Sequence, residues 1–158
     1  VQGRLTSSFG MRFHPVLGRR RMHKGWDIAA PSGTPIRAIA DGRVVFSGRN
    51  GGYGNFVKLS HSGSLQSAYG HMSRIAVRNG ARVRRGDIVG YVGSTGISTG
   101  PHVHFEVLRG GVAVNPGSVS FMSQNTLGGG DLSAFRSNVS RLKAVPVYRI
   151  EESEAPAE

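Results

Sequence analysis

The chain has 158 residues, no cysteine, 24 glycines and a formal net charge of +11. Without cysteine there are no disulfides, thiolate metal sites or cysteine nucleophile, and the redox compartment stays open. The first 150 residues hold 20 cations against five acids, a balance of +15 that favours an anionic partner or cell envelope.

So much glycine argues against a helical bundle and for short strands joined by tight turns. No apolar run reaches about 18 residues, so this segment holds no membrane span. Residues 1–22 carry Phe9-Gly10-Met11-Arg12-Phe13-His14-Pro15 and the basic run Arg19-Arg20-Arg21. They read as an irregular approach with one short strand and a solvated basic loop. From Gly33 to Leu108 short apolar runs alternate with turn residues. The expected strands are Ile36–Ile39, Arg43–Ser47, Asn55–His61, Leu65–Gly70, Ile88–Val92 and His102–Leu108. Ser62-Gly63 is expected to close a hairpin, and Gly110-Gly111 another that leads to Val112–Val114.

Gly33-Thr-Pro-Ile-Arg and Gly80-Ala-Arg-Val-Arg, followed by the Asp41-Gly42 and Gly86-Asp87 turns, form a weak internal echo. The pattern predicts an all-β chain, a mostly antiparallel rolled sheet or sandwich built from a duplicated, barrel-sandwich-like hybrid motif. Nothing alternates strand with helix as a parallel sheet would. Residues 1–120 are expected to form the main domain. After the flexible joint Gly128-Gly129-Gly130, Leu132, Phe135, Val139 and Leu142 recur at helical spacing, behind Asp131 as an N-cap or first-turn acid. That predicts a helical C-terminal extension over 121–150 and a disordered acidic tail over 151–158.

The chemistry concentrates in Gly100-Pro101-His102-Val103-His104-Phe105-Glu106. Side chains alternate along a strand, so His102 and His104 share a face. Upstream, His23 and Asp27 are four residues apart and share a face on a strand or a helix alike. Taken alone, that pair reads as well as a turn acid beside an ordinary histidine. With His104 it becomes a His, Asp, His set, three ligands with an open fourth position, which fits catalytic rather than structural zinc. Two imidazoles and one carboxylate leave such an ion a net +1, enough to stay Lewis acidic. Hydrolysis also needs groups that take and give protons, and His71 and His102 are left for that work. No H-E-x-x-H helix is present, so a glutamate base on a helix does not apply.

In this order, His23-x-x-x-Asp27, Tyr69-x-His71-Met72 and His102-x-His104 resemble the lysostaphin-type (LytM-type) zinc endopeptidases of bacterial peptidoglycan. Phe9-Gly-x-Arg12-x-His14-Pro15, Ala40-Asp41-Gly42-x-Val44, Gly52-Tyr53-Gly54-Asn55 and the Gly93–His102 segment extend the resemblance over roughly residues 5–120. It implies one zinc per chain on His23, Asp27 and His104, with His71 and His102 catalytic. It also implies a groove floored by the sheet and walled by loops. Tyr53 occupies a loop where relatives place a substrate-contacting tyrosine. His14 and His61 are expected to be structural.

The implied substrate is the cross-linked peptide of peptidoglycan, in a periplasmic or other bacterial envelope location. The approach segment favours D-alanyl–diamino acid bonds over glycyl-glycine bridges. Some relatives lack ligands and only activate other wall hydrolases, but all five positions are present here, so an active enzyme is expected. Residues upstream of the segment are expected to anchor or inhibit it.

Other readings fall short. Gly96-Ile97-Ser98-Thr99-Gly100 matches G-x-S-x-G, but Pro101 and a strand follow where a nucleophile elbow needs a helix, so Ser98 reads as a turn residue. Nucleic-acid binding is not expected, because the arginines are spread along the chain with no recognition helix or paired aromatic strand motif. A biotinyl- or lipoyl-carrier sandwich needs a lysine at a hairpin tip, and Lys24, Lys58 and Lys143 are not so placed.

Overall fold

A computed structural model of the chain describes residues 1–13 and 20–120. Thirteen strands follow in order: β1 (Arg4–Ser7), β2 (Gly10–Phe13), β3 (Arg20–His23), β4 (Trp26–Ala29), β5 (Pro35–Arg37), β6 (Gly42–Arg49) and β7 (Asn55–Ser60), then β8 (Leu65–Met72), β9 (Arg74–Ile75), β10 (Arg82–Val83), β11 (Ile88–Tyr91), β12 (His102–Arg109) and β13 (Val112–Val114). The chain divides into Val1–Ser123 and Gln124–Glu158, and all described residues belong to the first unit. The helix expected around 132–142, the acidic tail and His14 lie outside the described residues.

Every pairing is antiparallel. The large sheet runs β1-β4-β12-β8-β7-β6-β10, with β13 also paired to β12; a second sheet runs β5-β11-β9, and β2-β3 form a separate ribbon. The order ends at β1 and β10, so the expected rolled sandwich is present without a closed barrel. Ile36, Val89 and Val92 from the second sheet's side meet Val44, Val57, Leu59, Tyr69, Val83, Val103 and Val107 from the large sheet, all buried. Burial of these β-branched and aliphatic side chains at about 25 cal/mol per Å² is the main force holding the layers together.

The internal echo has a structural meaning. β5, from the first copy, pairs with β11, which follows the second; β10, from the second copy, pairs with β6, which follows the first. Each half therefore lends its short strand to the other half's long one. The Asp41 side chain accepts from the Arg85 backbone N–H (2.7 Å), tying the first copy's turn to the second copy. Duplication fixes the sandwich because neither half completes its own hairpin.

Within the large sheet the two faces do different jobs. On β12, Val103, Phe105 and Val107 enter the core, while His104, Glu106 and Leu108 face away from it. On β8, Tyr69 enters the core and Ala68 faces the other way, yet Met72 is back in the core. Parity has flipped between them. Asn55 pairs with Met72 and Val57 with Tyr69, so Gly70 and His71 together oppose Phe56 alone, a bulge. His71 adopts a left-handed φ of 61° there, a conformation uncommon for residues other than glycine. The strand expected from the sequence ends at Gly70. Instead the strand continues to Met72, and the distortion turns His71 out of the core.

Candidate metal centre

Three elements deliver the donors. β3 ends on His23 and β4 carries Asp27, with Gly25 in the link. β4 pairs with β12 so that Asp27 stands opposite His104. Gly25 has to be glycine because a Cβ there would run into the backbone of Phe105. The three donor atoms converge: His104 Nδ1 lies 2.7 Å and His23 Nε2 3.1 Å from Asp27 Oδ1, and the two nitrogens are 3.3 Å apart. Tetrahedral zinc with bonds of about 2.0–2.1 Å separates its ligands by about 3.3 Å, so two of the three edges are already near that value. The third is a hydrogen-bond length that an ion would widen.

The far side of each donor is tied. His23 Nδ1 donates to the Ser8 carbonyl (2.7 Å), which leaves Nε2 for the cluster. His104 Nε2 donates to Glu106 Oε1 (3.0 Å), which leaves Nδ1. Asp27 Oδ2 accepts from Arg12 Nη2 (3.0 Å), so Oδ1 alone faces the nitrogens. An acceptor behind each imidazole fixes ring orientation and raises ligand basicity, as second partners do in metal sites. The donor set, its tautomers and its spacing all fit a divalent zinc ion.

Charge is arranged to match. Burial would raise the Asp27 pKa, but hydrogen bonds from His104 and His23 outweigh it and hold the carboxyl well below the usual range. Burial opposes protonation of His104, yet the hydrogen bonds to Asp27 and Glu106 win and push its pKa up to about 9. Without metal, then, a proton bridges His104 and Asp27. Below pH 9 a divalent ion must displace that proton, so its affinity should rise about tenfold per pH unit toward 9. Competition against a chromophoric chelator at pH 6, 7 and 8 measures this, with Trp26, the sole tryptophan, as a second reporter beside Asp27. A pH-independent affinity would contradict the shared proton.

Two more histidines flank the cluster in a matched way. His71 Nδ1 donates to the Thr95 carbonyl (2.8 Å), and His102 Nδ1 to the Gly100 carbonyl (2.8 Å). Their rings are 4.6 Å apart, and His102 Nε2 comes within 3.8 Å of Asp27 Oδ1. Burial lowers the His71 pKa, and the nearby His102 ring adds to this, so a neutral imidazole is held there at pH 7. The carbonyl that holds His71 belongs to a loop locked by glycine: the Thr95 hydroxyl donates to the Met72 carbonyl (2.7 Å), and a Cβ on Gly54 would collide with Thr95.

The structure thus brings together all five residues expected at the centre, His23, Asp27, His71, His102 and His104. Among the described residues His23, Asp27 and His104 are the one His, Cys, Asp or Glu group that could hold an ion. Tyr53 lies beside the centre, its ring 5.6 Å from that of His104, but its hydroxyl donates to Glu106 Oε1 (2.8 Å). His61 is away from the site, bridging the Asp41 carbonyl and Ser67. The Ser98 hydroxyl donates to the Gly100 carbonyl (2.8 Å), in a turn as expected. Glu106 and Arg12 carry roles the sequence did not assign them. For Glu106 the signal was there: it follows His104 by two and shares its face. Arg12 reaches Asp27 only through the β2–β3 ribbon, which no spacing rule reveals.

Residues 21–116 match the profile of Peptidase family M23, well over half of the chain. The chain belongs to peptidase family M23. Across 93% of its length this M23 chain is 44% identical to the DD-carboxypeptidase/endopeptidase Mpg of Neisseria meningitidis, covering 35% of that protein. Among solved structures it resembles a zinc-containing peptidase from Vibrio cholerae (36% identity, TM-score 0.70, 76% of this chain and 37% of that one). It also resembles the catalytic domain of the antimicrobial peptidase lysostaphin from Staphylococcus simulans (33% identity, TM-score 0.66, 72% of this chain and 89% of that one). The chain spans about a third of the length of the curated relative it matches. M23 peptidases are zinc-dependent, and the His23, Asp27, His104 cluster is where an ion would be held. No helix among the described residues is long and apolar enough to cross a membrane.

Proposed function

We propose that the chain is a zinc-dependent endopeptidase of the bacterial cell envelope or periplasm that hydrolyses peptide cross-links of peptidoglycan, D-alanyl–diamino acid bonds in particular. The observation that carries this is a three-ligand His, Asp, His centre with two further histidines tethered beside it and left out of the ligand set. The 44% identity to an enzyme named for DD-endopeptidase action favours the D-alanyl bond. The expected ligand set, one zinc per chain on His23, Asp27 and His104, is retained as part of this reading. A complete ligand set also argues against a non-enzymatic activator of other hydrolases.

A zinc ion held by these residues supplies Lewis acidity, which polarises a carbonyl and acidifies water. The chain's own residues do the rest. His71 and His102 each present Nε2 while the Nδ1–H is fixed on a backbone carbonyl. Either can therefore accept a proton from the attacking water on Nε2 and pass it to the leaving amine, while the other, in its imidazolium form, donates Nε2–H to the developing oxyanion. Neutral His71 suits the base. Glu106 holds His104 in register, Arg12 keeps Asp27 to one donating oxygen, and the Tyr53 ring forms part of the wall beside the substrate.

Chelation and reconstitution test the reading. Metal-free protein should lose hydrolysis of purified sacculi and regain it as zinc reaches one equivalent per chain. Full hydrolysis by protein stripped of metal, checked by elemental analysis, would overturn it.

A further inference from the structure

Beside the metal centre a groove of about 870 Å³ crosses the large sheet on the face away from the core. Its floor is built by register. Phe46 pairs with Lys58, Lys58 with Ala68, and Ala68 with Glu106, one row across four strands. Ala68 is small where its neighbours are large, so the row dips between Phe56 and Leu108. Among the described residues, four of the eight exposed large hydrophobics, Met22, Val45, Phe46 and Val112, line this groove, which marks an apolar surface built to be covered.

Charge says what covers it. Among the described residues Glu106 is the one acid in the lining, and it is already matched by His104 Nε2, the Tyr53 hydroxyl and the charge of Lys24. Lys58 is different: half-buried in the floor, it has no ion-pair partner among the described residues. An ammonium without an ion-pair partner beside an apolar floor is a site for a carboxylate supplied from outside.

We propose that Lys58 is a specificity-determining residue that binds a carboxylate of an extended acidic peptide lying in this groove. Lys58 lies two strand spacings from Glu106, about 10 Å, and His104 is two residues further along β12, about 7 Å, so Lys58 is about 12 Å from the donor strand position, roughly four residues of extended chain. The carboxylate therefore sits about four residues from the bond at the metal centre. This rests on the peptidase reading and narrows its substrate: a cross-linked peptide with a free acid at that distance is preferred over its amide.

The test compares two cross-linked peptides that differ only in carboxylate against carboxamide at one acidic position, using the full metal-loaded chain and its Lys58→Gln variant. Wild type should favour the free acid about tenfold in kcat/KM, through KM, and Lys58→Gln should bring the ratio close to one. Equal cleavage of both peptides by wild type would overturn the proposal while leaving the peptidase reading intact, and this arm needs no variant to fold. An undiminished ratio in a folded Lys58→Gln variant would also overturn it. Binding of the same two peptides, followed by fluorescence anisotropy, separates the remaining case. If neither is cut but the acid binds tenfold tighter through Lys58, the peptidase reading fails and the subsite stands.

Discussion

Replacing His102 by alanine should lower turnover by about 10³-fold while the protein keeps its zinc, whereas His104→Ala should lose the metal and activity together. The two residues are alike in type, strand and face, and only their partners separate them. His104 Nδ1 is 2.7 Å from Asp27 Oδ1 and its other nitrogen is held by Glu106. His102 sends Nδ1–H to the Gly100 carbonyl, and its Nε2 stops 3.8 Å short of Asp27. Elemental analysis beside sacculus turnover checks both halves. Equal zinc retention by the two variants would mean that the division of labour is wrong.

The second large effect is structural. In Gly25→Ala the new Cβ would lie 2.9 Å from the Phe105 carbonyl carbon and closer still to its oxygen. Both atoms are backbone of β12, so no side chain can swing aside. β4 must move away from β12, and the pairs it breaks are Trp26 with Phe105 and Asp27 with His104. A cost of about 2–4 kcal/mol is expected, a fall in Tm of about 10 °C or more, together with weaker zinc binding. A thermal melt and a zinc titration measure the two losses. Unchanged stability and affinity would contradict the close approach of these strands. This one substitution links local backbone contact, packing of two strands and assembly of the centre.

Much of this was legible in the sequence, for reasons that differ along the chain. Strands such as Asn55–Ser60 and Leu65–Met72 announce themselves as short runs on either side of the Ser62-Gly63 turn signal. His102 and His104 could be placed on one face from parity alone. His71 could not: parity sends it into the core, and only the two-against-one pairing at Phe56 redirects it. Short strands such as β9 and β10 carry too few residues for a pattern, and β1 is largely exposed on one edge of the sheet. Arg12 carries no signal of its own, since its partner Asp27 is fifteen residues away across a ribbon. The echoing turns hinted at duplication, but the exchange of short strands between halves is a property of pairing, which spacing does not encode.

The central claim is that this centre cuts a peptide cross-link. Purified sacculi and synthetic glycine bridges, each digested with the zinc-loaded chain and read by mass spectrometry, test it most directly. The expected result is conversion of cross-linked stems into single stems still attached to unchanged glycan strands, with a new diamino acid amine and a new D-alanine carboxylate. Cleavage at a sugar bond, or no cleavage of either cross-link with zinc fully bound, would contradict it.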